Sequence, residues 1–416
     1  MRSPGEPATG EPTVSTDSPH KAAGAGPVLL AAAMVAAALN LRPVLSSLGP
    51  VLPEIIRDTG ISATGASILT TIPVLCLGLI GLGAPRIAAR LGTEAAIMAS
   101  LAVVTVGALV RMIVSYPALV IGTIALGAGV GVMGVLLPAL VRRDFPHRAG
   151  PMMAVYTMML CAGASFGAGA SVPLSETIGG WHRALAFWAA PALAAALVWA
   201  VVVRRNGARD LTVRQPAGLL WRSPIAWQVT LFMGLQSSLS YIVFGWLAPM
   251  LRARGFDAVD AGLIVSGSIM VQVAGALASP LIATRLRRQG IVAVTVTGAT
   301  TLGLLGCLYA PVWLVFPAAG LLGIGQGASM ALALTIIVLR SGDSVTATEL
   351  SGMVQSVGYT IAAGGPLAVG LIHDWTGGWD AIAPFLLAVG LATAAFGWAA
   401  GRDRQVPALG SAAPGA

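Results

Sequence analysis

Pro85-Arg-Ile-Ala-Ala-Arg-Leu91 returns as Pro280-Leu-Ile-Ala-Thr-Arg-Leu286, 195 positions later, and each copy closes a long apolar run. Further pairs keep almost the same offset and the same order. Gly49 pairs with Gly245, Pro53 with Pro249, Gly60 with Gly255, and Leu126-Gly-Ala-Gly-Val-Gly131 with Leu322-Gly-Ile-Gly-Gln-Gly327. One short echo in a chain this rich in Ala and Gly would mean little. Five in order mean that the chain is built twice from one unit.

Composition says what kind of unit. Hydrophobic residues make up 56% of the 416 and charged residues 10%, against roughly a quarter charged in an ordinary soluble domain. A helix needs ~20 apolar residues to cross ~30 Å of hydrocarbon. Twelve runs qualify: 28–52, 63–84, 95–114, 118–140, 150–173, 184–203, 224–250, 259–282, 291–309, 313–338, 350–372 and 381–400. They are twice the length of a barrel strand and do not alternate, so the spanning form is helical. Six precede the polar stretch Arg204–Arg222 and six follow it. The expected fold is an all-α polytopic membrane protein of two pseudo-symmetric six-helix halves, the pattern of secondary transporters.

The domain organisation follows. Residues 1–26 read as a disordered tail, 27–203 as the first half, 204–222 as a central loop, 223–402 as the second half and 403–416 as a second disordered tail. The net charge of +8 reports topology, not nucleic acid. With the first residue on the inner side, 18 of the 24 basic residues fall on inner segments and four (Arg57, Arg183, Arg252, Arg254) on outer loops. The remaining two, Arg42 and Arg111, lie inside spans. The asymmetry predicts both termini and the central loop in the cytoplasm of a bacterial inner membrane. Cys76, Cys161 and Cys307 sit singly inside spans, and His20, His147, His182 and His373 are scattered. No disulfide, metal site or cofactor is expected. The lipid bilayer and a small-molecule substrate are the expected partners, with a monomer as the unit.

Gly129-Val-Gly-Val-Met-Gly134 matches the dinucleotide fingerprint letter for letter. That motif works only where a strand turns into a helix, with an acid ~20 residues on. Here it lies inside a span and the next acid is Asp144, so close helix packing is the expected role.

The residue with the sharpest functional meaning is Arg42, in Leu39-Asn-Leu-Arg-Pro-Val-Leu-Ser-Ser-Leu-Gly-Pro50. At 1.5 Å per residue it lies ~3 Å past the middle of its span. Such an arginine costs about 2.5–3.5 kcal/mol on insertion scales, so it should face the bundle interior. Pro43 and Pro50 each remove a backbone donor, leaving the carbonyls of Leu39 and Ser46 needing partners. Arg42 therefore binds substrate, snorkels outward or serves one of these carbonyls. Helical spacing puts Ser46, Gly49 and Pro53 on its stripe. The equivalent helix of the second half carries Gln236, Ser237, Ser240 and Tyr241, with Gln236 in register with Asn40. Tyr156, Thr157, Gln272, Gln326, Gln355 and Tyr359 are further polar groups inside spans. Each is either helix-packing glue or a ligand contact. Together they suggest one central polar cavity with a single fixed positive charge.

None of the sixteen acids lies deep in a span. A cation carrier or an obligate proton relay usually buries carboxylates. An arginine without one favours an anion or a polar neutral solute. Glu54, Glu349 and His373, at span ends, are the candidate sites should a proton be the coupling ion. Arg111, near the outer end of the third span, is expected to snorkel or to pair with Glu54 or Asp58.

The chain resembles the major facilitator superfamily, and within it the cyanate/2-nitroimidazole transporter group. The resemblance rests on Leu39-Asn-Leu-Arg-Pro through Gly49-Pro-Val-Leu-Pro53, on Leu69-Thr-Thr-Ile-Pro73, on Gly107-Ala-Leu-Val-Arg111 and on Leu140-Val-Arg-Arg143. It extends to Leu350-Ser-Gly-Met-Val-Gln-Ser-Val-Gly-Tyr359 and Gly364-Gly-Pro366. It implies alternating access around a midplane site lined by the first, fourth, seventh and tenth helices, with a central arginine at Arg42. One departure stands out. The superfamily's loop between the second and third helices usually carries an acid where this chain has Ala89, while Arg90 and Gly92 are kept. Arg142 or Arg143 with Glu349 is the expected replacement for that gate.

The reading is a secondary transporter of a small anionic or polar solute, cyanate-like or nitro-heterocycle-like. The substrate-contact candidates are Arg42, Asn40, Ser46, Gln236, Ser240, Tyr241, Gln326, Gln355, Tyr359 and Tyr156; Arg90, Arg142, Arg143 and Glu349 are the gating candidates. A drug or metabolite exporter of the same fold is the alternative. A polytopic enzyme or sensor would need clustered His, Asp and Glu or a sizeable soluble domain, and neither is present in the sequence.

Overall fold

The computed structural model describes residues 26–206, 219–286 and 288–406. Most of both expected tails and of the central loop, with Arg287, lies outside the described residues. Among the described residues eleven helices are long and apolar enough to cross a membrane: α1 (Pro27–Thr59), α2 (Ala63–Leu91), α3 (Thr93–Val110), α4 (Tyr116–Asp144), α5 (Pro146–Ile178), α6 (Trp181–Arg205), α7 (Pro224–Ala253), α8 (Ala258–Arg285), α9 (Gly290–Tyr309), α10 (Val312–Arg340) and α12 (Ile382–Ala400). α11 (Ser344–Thr376) is 33 residues long, and Gln355, Ser356, Tyr359 and Thr360 dilute its apolar run. All twelve runs of the sequence are thus helices, as expected. Large apolar side chains such as Val106, Phe166, Leu197, Leu302, Phe316 and Leu391 are exposed, as suits a surface solvated by lipid.

Local chemistry sets the helix ends. Ser62, Ser115, Ser223, Asp257 and Asp343 are N-caps whose side chains accept from the backbone N–H three residues on, satisfying a donor the helix leaves free. The repeated glycines Gly60 and Gly255 both take positive φ, 67° and 95°, which ends the first helix of each half in a tight turn. We call the end carrying these turns the upper end.

The duplication is visible in the packing. In the first half Gly127 and Gly131 bring α4 against Pro73 and Cys76 of α2; in the second, Gly323 and Gly327 bring α10 against Ser268 and Gln272 of α8. A methyl group on Gly129 would lie 2.6 Å from the Ser100 carbonyl. The apparent dinucleotide fingerprint is therefore a helix contact made possible by missing side chains.

α1 and α7 occupy equivalent places and are irregular at equivalent depths. α1 is helical over Pro27–Asn40, breaks at Leu41 and Arg42, resumes over Pro43–Ser46, tightens over Gly49–Val51 and runs on through Leu52–Thr59. α7 widens into a π-helical turn over Val243–Leu247. The two halves meet where these irregularities face. An added Cβ on Gly49 would press on the carbonyls of Phe244 and Gly245, and one on Gly245 on Thr70.

Polar bonds join the halves above this seam and below it. Arg252 pairs with Glu54 at 2.7 Å and donates to the Pro50 carbonyl. Asp374 accepts from the N–H groups of Ala63 and Thr64 at the start of α2. Ser165 and Ser266 bond across α5 and α8 at 2.8 Å. The hydrophobic core follows suit. One cluster joins both halves through the upper part, including Val51, Leu52, Ile55, Trp246, Leu247 and Val265. A separate cluster, including Phe232, Ala283, Ile336 and Leu350, belongs to the lower part of the second half alone. The upper end is sealed.

Candidate functional site

The break in α1 is written in its sequence. Pro43 cannot donate to the Leu39 carbonyl and its ring disfavours helical backbone at the residue before it; Arg42 sits there at φ −107°. α5 fits into the break through Gly163 and Gly167, where any side chain would strike the Leu39 carbonyl or Ser46 and Pro43.

Arg42 projects from the break, partly buried, with its guanidinium 5.6 Å from the centre of the Phe244 ring. The hydroxyls of Tyr241, Tyr359 and Tyr156 and the Cys161 thiol lie within its electrostatic reach. Tyr241 packs edge-on to both Phe244 and Tyr359, with ring centres 5.8 and 6.3 Å apart. Four helices thus contribute to one aromatic chamber: α1, α5, α7 and α11. Among the described residues the Arg42 guanidinium has no hydrogen bond to the protein and no carboxylate partner. A cation–π contact stabilises it by ~0.5–2 kcal/mol but leaves all its N–H donors available. Among the described residues, Arg42 therefore does not serve a freed carbonyl.

The other polar residues divide by position. Asn40 is buried and donates to the carbonyls of Ala36 and Pro191, tying α1 to α6. Ser46 donates to the Arg42 carbonyl. Gln236 donates to Ser237 at 2.8 Å and lies against the sulfurs of Met233 and Met330, while Ser240 donates to the Gln236 carbonyl. Gln326 accepts from Gln272 at 2.9 Å and, with Gln236, Leu239, Thr297, Thr300, Ser329 and Thr393, lines a crevice too small for a water inside the second half. Gln355 donates to Ser351, one turn below it. Arg42, Tyr156, Tyr241 and Tyr359 therefore share one chamber. Gln236, Gln272 and Gln326 gather instead inside the second half, because their helical register turns them there, while Gln355 bonds within α11.

Phe244 and Cys161 also belong to the chamber, and neither is among the contact candidates read from the sequence. Phe244 was findable, lying one turn beyond Tyr241 on the same stripe. Cys161 gave no signal beyond its type.

Two expectations are corrected. Arg111 neither snorkels nor pairs with Glu54 or Asp58. It is 1% exposed, donates from Nε and Nη2 to Thr123 Oγ1 and from Nη1 to the Val44 carbonyl. Glu54 is taken by Arg252, and Asp58 by Arg57 and Trp181. At the lower end, Arg143 pairs not with Glu349 but with Glu94 at 2.6 Å and Asp144 at 2.8 Å, both in its own half. Glu94 is 1% exposed and supplies the acid that Ala89 does not. The second half repeats the arrangement: Arg340, at the end of α10, donates to Gln289, 195 positions after Glu94. Arg90 and Arg142 are exposed at this end, and Glu349 keeps a buried oxygen without a hydrogen bond.

Residues 28–363 match the Major Facilitator Superfamily. The chain is similar to the 2-nitroimidazole transporter of Escherichia coli (strain K12), with 33% identity over 389 residues, 92% of this chain and 98% of that one. It is similar to the cyanate transport protein CynX of the same organism, with 27% identity over 346 residues, 83% and 90% of the two chains. A bacterial homologue of the human lysosomal transporter Spinster, solved inward-facing and occupied, shares the fold with a TM-score of 0.71 at 17% identity, covering 92% of this chain and 98% of that one.

Proposed function

The chain belongs to the Major Facilitator Superfamily and is a multi-pass membrane transporter, not an enzyme; from that premise we propose that it carries a small anionic or polar solute across the bacterial inner membrane, with Arg42 as the group that binds it. One observation carries this reading: a guanidinium near the middle of the bundle, with Tyr156, Tyr241, Phe244 and Tyr359 about it, to which the described residues offer no anion.

The chemistry fits both solutes named for the relatives. A guanidinium presents parallel N–H donors, which hold a linear monoanion end-on or the two oxygens of a nitro group side by side. Tyrosine and phenylalanine rings then stack on a flat heterocycle. The same arrangement gives alternating access a physical basis. An unpaired guanidinium resists full enclosure, since a buried charge without a partner costs several kcal/mol. A bound anion removes that cost, so the loaded carrier closes around its cargo more readily than the empty one. With the termini in the cytoplasm, the sealed upper end is the outer face, and the seam over Gly49 and Gly245 is the outer gate. That gate opens by parting Arg252 from Glu54 and Asp374 from the start of α2.

The test is a thermal-shift screen of the purified protein against cyanate, thiocyanate, nitrite and 2-nitroimidazole. A ligand at 100 times its Kd stabilises the native state by about 2.7 kcal/mol, a readily measured shift. The reading requires that at least one of these raises the melting temperature and that Arg42→Gln removes the effect. Stabilisation by organic cations, and by none of these solutes, would overturn it.

A further inference from the structure

Arg111 caps the C-terminal end of α3, and nothing in the transport reading uses it. It is 1% exposed and its partners are one hydroxyl and one carbonyl, neither of which neutralises a charge. Three of its N–H groups are engaged there. A guanidinium has five, so two remain. Arg111 also lines a small cavity, with room for about one water, between the apolar Leu45, Leu48, Leu69 and Val74 and the more polar Thr70 and Tyr241, with Phe244. Tyr241 and Phe244 are also walls of the Arg42 chamber. The Arg42 chamber and the Arg111 cavity therefore share one aromatic pair, and the cavity at Arg111 extends to Gly245 of the upper seam.

We propose that Arg111, with Thr70 and Tyr241, is a second anion station between the Arg42 chamber and the outer gate. This inference rests on the reading of Arg42 as an anion site and extends it to the path. The station takes a small monoanion on the two unused N–H groups of Arg111. Neutral protein acceptors fix the orientation of its guanidinium and leave its charge for the cargo. When the seam over Gly49 and Gly245 parts, the station opens outward, and an anion passes between the arginines past Tyr241 and Phe244. The station is filled from the outer side and Arg42 from the inner. A mere strut would also hold Val44 to Thr123, but it would not bind an anion once Arg42 is gone.

That difference is the experiment. The seam is loosened by Glu54→Gln with Asp374→Asn, neither of which touches either arginine, and thiocyanate is titrated by calorimetry into the purified full-length protein. With Arg42→Gln added, the loosened protein should still bind one thiocyanate per molecule, and adding Arg111→Gln should abolish that binding. Arg111→Lys, which keeps the charge without the fork, should weaken it about tenfold or more and serves if the glutamine variant does not fold. No thiocyanate binding to the loosened Arg42→Gln protein overturns the station. Binding that neither Arg111 variant reduces overturns it equally. Failure of the underlying reading looks different: with Arg42 intact, Arg111→Gln would then leave no bound thiocyanate at all.

Discussion

Replacing Gly49 by alanine puts one methyl group into the seam between the halves. Its Cβ would lie 3.0 Å from the Gly245 carbonyl oxygen and closer still to that of Phe244. Both obstacles are backbone, held in the π-helical turn of α7, so neither can rotate away. Overpacking of this kind costs about 1–3 kcal/mol. The cost falls on the sealed state alone, since the seam is absent once the halves part above. The whole penalty is therefore differential, and it should raise the outward-open to outward-closed ratio by roughly 5- to 150-fold, at 1.4 kcal/mol per factor of ten. The reporter is a cysteine at Ser67, a fully buried position beneath Gly370 of the opposite half. Its rate of reaction with a membrane-impermeant maleimide in cells follows the open population. Gly49→Ala should raise that rate at least about fivefold. Gly245→Ala, which meets only the Thr70 side chain at 2.9 Å, should raise it less. Gly298→Ala, with nothing within 4 Å, should leave it unchanged. Equal rates for all three would refute the assignment of this seam as the outer gate.

Cys161, partly buried beside Arg42, should react with thiol reagents in solubilised protein and be protected by bound cyanate, whereas Cys76 and Cys307, both buried, should stay unreactive; protection at Cys307 but not at Cys161 would put the ligand elsewhere. Glu94→Ala takes the 2.6 Å partner from the half-buried Arg143, which keeps Asp144, and should cost about 1–3 kcal/mol in thermal unfolding. Glu94→Gln should cost less than ~1 kcal/mol, because Gln289 already holds Arg340 in the second half; equal losses would break the pseudo-symmetry argument. Cysteines at the exposed positions His147 and Glu176 test orientation: only Glu176→Cys should be labelled from outside intact cells, and the reverse pattern would invert the topology.

The sequence made much of this legible, for reasons that can be named. The duplication and the twelve helices follow from the length and spacing of apolar runs, which lipid enforces. The break at Arg42 follows from Pro43. What stayed hidden was partner choice among distant helices. Arg143 had Glu94 and Glu349 to choose between, and only the packing of α3 against α4 decides for Glu94. The repeat itself held the answer, since Glu94 and Gln289 share the 195-residue offset, but no apolar pattern draws attention to it. Arg111 misled because an arginine near a span end usually reaches for water. Here a hydroxyl and a bared carbonyl on neighbouring helices hold it inside. The glutamines misled because spacing along one helix does not say which neighbour it faces.

The central claim is that Arg42 is where the cargo binds, and transport by Arg42 variants, normalised to folded protein, tests it most directly. Losing a charge-assisted, two-donor contact should cost about 1.5–3 kcal/mol, a loss in affinity of roughly 10- to 150-fold. Cyanate uptake into proteoliposomes by Arg42→Ala should therefore fall to background, with Arg42→Lys intermediate, while both variants keep the melting temperature of the unliganded protein. Normal uptake by well-folded Arg42→Ala would contradict the account.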